Sequence, residues 1–280
     1  MVRTGCAGVA RQWLSGGALV QEINFRDALS LEGRSFVLLG AGQGIGVQIA
    51  RALTQVGAKL LCADRDAACA RATANSVGAA HCAADVTRRE DVEAAFQSAR
   101  ERLGDIHGVV NIVGQATLRS ILDYTDEQWD AQFDIVLKHA LLTLQAGMKH
   151  MSEGTSFTFI GSLSGSRAVV GQPAYGTAKA ALHHLVRCAA VELGPKGVRV
   201  NAIAPGFIFN PRLQTLLGPE QWRKLETHIP LGGAAHPSEI AGAVLFLVSK
   251  LASHVTGVVL PVDGGLEPLA GLPPLEWNPH

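Results

Sequence analysis

The sequence predicts an α/β fold: a mostly seven-stranded parallel sheet, doubly wound, with helices on both faces. Three observations carry that expectation. From Ser35 onward, short apolar runs alternate with longer segments of helical spacing, the pattern of right-handed βαβ units. Hydrophobic residues make up 48% of the chain but aromatics only 5%, an Ala-, Val-, Leu- and Gly-rich mixture suited to buried parallel strands packed closely on helices. At 280 residues the chain is long enough for one large domain with a sizeable core.

The elements are predicted in order. Ser35–Gly40 is an apolar run opening into glycines, and Gly46–Val56 is a helix closed by Gly57. Ala58–Ala63 is a second strand stopped by Asp64-Arg65-Asp66, followed by a helix over Ala67–Ser76 and a third strand over Ala79–Ala84. Arg88–Leu103 has apolar residues at helical spacing and ends at Gly104. Gly108–Val113 is the fourth strand, Thr125–Met151 one long helix and Ser156–Ile160 the fifth strand. A helix bearing Tyr175 and Lys179 runs to about Leu193. Gly197–Ile203, Pro237–Ser249 and Gly257–Pro261 complete the series as strand, helix and strand.

Composition excludes several classes of function. Lys plus Arg and Asp plus Glu both number 24, so no overall field draws the chain to nucleic acid or to an anionic membrane. No apolar run approaches the roughly 18–20 residues that span a bilayer. Cys6, Cys62, Cys69, Cys82 and Cys188 are odd in number and lack Cys-x-x-Cys spacing, which fits reduced thiols in a cytoplasmic setting and no structural zinc. Residues 1–28 read as an extension, disposable or interfacial, because they mix Gly, Ser and Ala with isolated apolar residues and lack a secretory apolar stretch. Residues 29–266 form the expected single domain, and 267–280 a Pro-rich tail.

The glycines of Gly40-Ala-Gly-Gln-Gly-Ile-Gly46 fall where the first strand turns into the first helix. There they permit a tight turn and let backbone N–H groups approach a pyrophosphate at a helix N-terminus. Asp64 ends the second strand near the position where a carboxylate meets the two hydroxyls of an adenosine ribose, which favours NAD over NADP. Arg65 is the opposing signal, since an adjacent guanidinium can hold a 2′-phosphate, while Gln43 adds no positive charge to the loop. Tyr175 and Lys179 stand four apart on a helix and so share a face. An ammonium beside a phenol is expected to lower its pKa from about 10 and make it a usable acid or base. The same spacing also arises on any solvated helix.

In family order, Gly40-xxx-Gly44-Ile45-Gly46, Asp85-Val86, Asn111-xx-Gly114, Ser162, Tyr175-xxx-Lys179, Pro205-Gly206 and Thr256-Gly257 through Gly265 resemble the short-chain dehydrogenase/reductase family across residues 29–266. The resemblance implies a Rossmann-like sheet, a nicotinamide dinucleotide and a homodimer or homotetramer. It implies that Tyr175 exchanges a proton with the substrate oxygen, that Lys179 holds the nicotinamide ribose and acidifies the phenol, and that Ser162 hydrogen-bonds the substrate oxygen. By the same resemblance Asp85 and Val86 flank the adenine, Asn111 and Gly114 line the cofactor cleft, and Ile208 meets the carboxamide through its backbone. Three positions depart from the family pattern: Leu39 replaces a loop-bracing Thr, Ile112-Val113 replaces Asn-Ala, and Val136 stands where a helix Asn is usual. The last puts in doubt the helix bend whose carbonyl holds a water linking the lysine to solvent.

Phe207, Phe209, Leu213, Leu216, Leu217, Trp222 and Leu225 follow Pro205-Gly206 and make an apolar segment able to cover a substrate or to pack on the protein itself. Phe207, Phe209 and Leu213, with Ser162, are the expected substrate contacts, and Arg212 is a weaker one. His183 and His184 point in different directions, which argues against a metal site and for a helix-surface or subunit-contact role. Cys188 is expected to be buried packing. The leading expectation is NAD-dependent hydride transfer between a secondary alcohol and its ketone, on a molecule with apolar bulk. The alternatives are an NADPH-dependent carbonyl or 3-oxoacyl reductase and a dinucleotide-binding scaffold with weakened catalysis.

Overall fold

A computed structural model describes residues 23–269, apart from the side chains of residues 152, 153, 211–214 and 216. Most of the expected N-terminal extension and of the Pro-rich tail lies outside the described residues. Asn24 caps a short helix, α1 (Phe25–Leu29), by accepting the Arg26 N–H. The alternating series then follows as β1 (Ser35–Leu39), α2 (Ile45–Gln55), β2 (Lys59–Asp64), α3 (Ala67–Val77), β3 (Ala80–Ala83), α4 (Arg89–Leu103) and β4 (Ile106–Asn111). Beyond it come α5 (Asp126–Phe133), α6 (His139–His150), β5 (Met151–Ile160), α7 (Pro173–Leu193), β6 (Arg199–Pro205), α8 (Pro211–Thr227), α9 (Pro237–Val248) and β7 (Val259–Val262).

The seven strands form one parallel sheet in the order β3-β2-β1-β4-β5-β6-β7. Period-2 alternation sends Phe36 and Leu38 to one face and Val37 and Leu39 to the other. Ile49 and Leu53 of α2 and Val244 and Leu247 of α9 pack on the first face. Phe96 of α4, Leu144 of α6 and Leu182 and Val186 of α7 pack on the second. Every strand of the centre is therefore buried on both sides, which is why β1 reads as an unbroken apolar run. Chain order reverses between β1 and β4, so a crevice opens at their carboxyl ends. Register sets Leu39 level with Ala63 and Asn111, and Asn111 level with Phe159, so the candidate residues that follow these strands converge on one edge.

Three elements differ from expectation. The single helix predicted over 125–151 is interrupted by a π-turn at Asp134–Lys138, and Met151 already belongs to β5. The segment expected as an apolar lid is helical: α8 holds it, broken at Gly218 (φ 71°, ψ 166°) before Pro219, where proline cannot continue the first half. Third, α1 places structure inside the expected extension, with Ala28 buried. No helix among the described residues is long and apolar enough to cross a membrane.

Candidate active site

The glycine loop is fastened to β2. Gly40 and Ala41 both donate their N–H groups to the Ala63 carbonyl, at 2.8 and 3.0 Å. Asp64 then holds the loop from the other side: its Oδ2 accepts the Gly42 N–H at 2.8 Å and its Oδ1 the Asp66 N–H at 3.0 Å. Close approach dictates the glycines. A Cβ on Gly46 would sit 2.5 Å from the Gly40 carbonyl oxygen, and one on Gly42 2.7 Å from Asp64 Oδ2. Gly44 opens α2 with no side-chain cap, and the Gly46 N–H bonds the Gln43 carbonyl at 3.1 Å, so the start of this helix keeps the partial positive charge of its remaining donors.

A cleft of about 510 Å³ runs along these groups and is lined by Gly40, Gln43, Asp64, Arg65, Asp85, Val86 and Gly114, as well as Gly42, Cys69 and Asn210. Asp85 is braced by the Thr87 N–H and hydroxyl, which hold its carboxyl below the usual range, with Arg65 and Arg88 adding smaller contributions. Asn111 is placed differently from a cleft-lining residue. It is buried, its Oδ1 accepts the Val113 N–H at 3.0 Å, and its Nδ2 reaches His139 Nδ1 and Thr143 Oγ1, both at 2.9 Å. Its contribution is to tie the end of β4 to α6.

Ser162, Tyr175 and Lys179 are brought together. Ser162 follows β5 after Gly161, and its Oγ accepts the Ser164 N–H at 3.1 Å and lies near enough to the Tyr175 hydroxyl to lower its pKa. Pro173 opens α7 at a position where its missing N–H costs nothing, so Tyr175 stands in the first turn and Lys179 in the second. Lys179 is 1% exposed; its Nζ donates to the Ile160 carbonyl at 2.7 Å and lies 5.6 Å from the Tyr175 ring centre. Burial pushes the lysine down to about 7. The expected acidification of the phenol is not what this geometry gives. Burial raises the Tyr175 pKa, opposed only in part by the Ser162 hydrogen bond. The reason is that removing a phenolate from water outweighs the help of one hydroxyl.

Pro205 ends β6, and the Gly206 N–H bonds the Val262 carbonyl at 3.1 Å. Phe207 and Phe209 bracket an extended contact with Ala235, the Phe207 carbonyl accepting and the Phe209 N–H donating at 2.8 Å each. Alternation along extended chain turns Ile208's own N–H and carbonyl to the opposite edge. Both phenylalanines pack on Trp222, with ring centres 5.2 and 6.0 Å away, and Trp222 is buried. The side chains of Arg212, Leu213 and Leu216 lie outside the described residues.

Two further expectations are corrected. His183 is not on the surface: it is 3% exposed, one turn beyond Lys179, with Nε2 receiving the Ser162 N–H at 3.4 Å. Its signal was the stripe of Tyr175, Lys179 and His183 at spacings of four, which the pairing with exposed His184 obscured. Cys188 is exposed, because it falls on the face of α7 turned from the sheet. Two other buried polar residues had no sequence signal, since their partners are remote in the chain. Gln132 holds the loop after β4 by accepting the Thr117 N–H at 2.8 Å and donating to the Gln115 carbonyl at 2.7 Å. His139 follows the π-turn and meets Asn111.

Residues 40–267 match the family described as enoyl-(acyl carrier protein) reductase. Over 255 residues the chain is 37% identical to galactitol 2-dehydrogenase (L-tagatose-forming) of Cereibacter sphaeroides, covering 87% of this chain and 98% of that one. It is 35% identical to the 3-oxoacyl-[acyl-carrier-protein] reductase of Mus musculus, covering 82% and 96%. Among solved structures, a 7α-hydroxysteroid dehydrogenase complexed with NADH and 7-oxo glycochenodeoxycholic acid superposes with a TM-score of 0.82 at 30% identity, covering 87% of this chain and 98% of that one. Motif order, sheet order and these likenesses agree: the chain belongs to the short-chain dehydrogenase/reductase family of oxidoreductases.

Proposed function

We propose that this protein transfers hydride between NAD(H) and a secondary alcohol or its ketone, on a molecule carrying apolar bulk. The observation that carries the cofactor preference is Asp64. Its carboxylate forms one wall of the cleft, fixed by two backbone N–H groups, where it suits ribose hydroxyls and repels a 2′-phosphate. Gly42 beside it has no room for a larger, basic side chain. The dinucleotide fits the residues present: the uncapped start of α2 and the Gly40–Gly46 loop would hold its phosphates, Asp64 its adenosine ribose and Ile208 its carboxamide. When bound, the nicotinamide supplies the hydride chemistry.

The chain's own residues manage the proton. Ser162 Oγ hydrogen-bonds the substrate oxygen and holds it against Tyr175. In reduction the half-buried, protonated phenol gives its proton to the carbonyl oxygen as the carbon gains hydride; in oxidation the phenolate takes the hydroxyl proton back. Lys179, near its own midpoint at neutral pH, supplies positive charge beside the ring and hydrogen bonds to a ribose. Phe207 and Phe209, leaning on Trp222, give the substrate an apolar wall.

Arg65 lines the same cleft and supports a second reading, an NADPH-dependent carbonyl or 3-oxoacyl reductase. Fluorescence titration separates them: NADH is expected to bind at least about tenfold more tightly than NADPH, and the reverse order makes the second reading the correct one. A screen following NADH absorbance against diverse hydroxy and oxo compounds then identifies the substrate. Binding of dinucleotide with no turnover across that panel would instead favour a scaffold. We further assign the protein to a reducing, cytoplasmic compartment and to a homodimer or homotetramer. Phe133, Leu137, Leu141 and Leu185 form an apolar groove between α5, α6 and α7 that suits a subunit contact. A light-scattering mass of one chain contradicts that assembly.

A further inference from the structure

His183 completes a stripe. It stands one turn beyond Lys179 and two beyond Tyr175 on α7, so the three side chains share one helix face. Its imidazole is wedged beneath the turn that carries Ser162. A methyl group on Gly161 would fall 2.4 Å from its Nε2, and one on Gly165 would fall 2.5 Å from its Cε1. The two glycines flank Ser162 in sequence, and both leave room for this ring. At the centre of the turn the Ser162 N–H points at Nε2, 3.4 Å away.

A nitrogen that receives an N–H carries a lone pair, so the ring is neutral with its proton on Nδ1. Its surroundings hold it there: burial, then the charges of Lys179 and Arg187 one turn to either side, push its pKa down to about 4. Ser162 is gripped from two directions. Its backbone N–H is held from below by His183, and its hydroxyl accepts the Ser164 N–H beside Tyr175, whose pKa it lowers.

We propose that His183 is a positioning residue: its neutral imidazole fixes the Ser162 turn so that the Ser162 hydroxyl stays on the Tyr175 oxygen. The proposal rests on the reading of Ser162, Tyr175 and Lys179 as the reacting group. A ring that merely filled space under the turn would be replaceable by any side chain of its volume. A ring that positions must keep an acceptor at Nε2.

The chain contains two tyrosines, Tyr124 and Tyr175, so in a Tyr124→Phe background tyrosinate absorbance reports Tyr175 alone. A stopped-flow pH jump reads its midpoint before alkaline unfolding sets in. Four variants are made in that background: Ser162→Ala, His183→Leu, His183→Gln and the Ser162→Ala/His183→Leu double. Ser162→Ala is expected to raise the midpoint, because the hydroxyl that lowers it is gone. His183→Leu is expected to raise it in the same direction, and His183→Gln, whose amide oxygen reaches the place of Nε2, to leave it at the parent value. The double variant is expected to match Ser162→Ala alone, since the histidine acts only through the serine. NADH affinity stays within about threefold throughout. His183→Met replaces the leucine variant should the latter not fold. An unshifted midpoint in His183→Leu, with Ser162→Ala shifted, overturns the positioning role and leaves the Ser162–Tyr175 reading standing. So does a His183→Leu effect that adds in full to that of Ser162→Ala. No shift in Ser162→Ala itself removes the link between Ser162 and Tyr175, and the proposal falls with it.

Discussion

Replacing Tyr175 by phenylalanine removes a single oxygen and leaves the ring beside Lys179 in place. In the proposed reaction the phenol oxygen is the proton carrier, and the dinucleotide is assigned to the glycine loop, Asp64 and Lys179. Tyr175→Phe is therefore expected to lower turnover by roughly 10²–10⁴-fold while NADH affinity, read by fluorescence titration, stays near the parent value. Turnover close to parental removes Tyr175 from the mechanism. Gly42 makes the complementary case for binding. A methyl group there meets Asp64 Oδ2 at 2.7 Å and the Cβ of Cys69 at 2.9 Å, so the carboxylate or the loop must shift. Gly42→Ala is expected to weaken NADH by about tenfold, or ~1.4 kcal/mol, with little change in the rate at saturation; an unchanged Kd would show that Asp64 does not carry the affinity assigned to it. At this scale the sequence was most legible where spacing alone sets side chains on one face, as with Tyr175 and Lys179 on α7. It was least legible where a polar residue serves another. Nothing local to His139 announces Asn111, 28 positions away in the chain.

The π-turn at Asp134–Lys138 shows how an element can persist after the residue associated with it has gone. A valine at position 136 put that bend in doubt, yet the turn forms, with Val136 fully buried at its centre. What holds it lies on either side. Gln132 clamps the preceding helix to the loop after β4, and His139 and Thr143 clamp the following one to Asn111. With both flanks fixed at a set separation, the extra residue is accommodated as a π-turn whatever side chain stands inside it. The bend is thus a tertiary feature, and periodicity along 125–151 reads straight through it. The same holds for α8, whose Gly218-Pro219 break masks a helical segment in the sequence. Val136→Asn follows as a test. It buries an amide at a fully enclosed position and is expected to cost about 1–3 kcal/mol of unfolding free energy in urea. A neutral result would mean that the amide finds partners there and that the pocket is more polar than its burial implies.

Across the whole molecule the parallel, doubly wound sheet was legible because it needs only the alternation of strand and helix; the strand order, which alternation leaves open, comes from the structure. The pattern of buried charge was not legible either, since it depends on which polar residues fall between layers. That pattern makes stability respond to pH in a definite direction. His139 and His183 are held neutral, pushed down to about 3 and about 4 from 6.5, chiefly by burial and secondarily by the Lys179 charge; Arg187 adds to the effect on His183. Below pH 6.5 the unfolded chain takes up these two protons and the folded chain does not. Protons bound in the unfolded state then exceed those in the native state, so stability rises with pH and falls on acidification. Each histidine contributes a slope of about 1.4 kcal/mol per pH unit between 6.5 and its folded value. Asp66, Asp85 and Glu93 act in the same direction but in a more acid window, for hydrogen bonds hold their folded pKa values below the ordinary carboxylate range. Their stabilising contribution is retained above about pH 4.5 and is lost only under more acid conditions, which leaves the window above it to the histidines. Lys179, at about 7 in place of 10.5, extends the same rising trend above neutrality. Urea unfolding between pH 4.5 and 6.5 is expected to show stability dropping by on the order of a few kcal/mol, and His183→Gln to remove about half of the slope. A flat profile would mean that the two imidazoles take up protons in the folded chain as readily as in the unfolded one. His183 would then not be the neutral, buried group on which the tie between Ser162 and α7 depends.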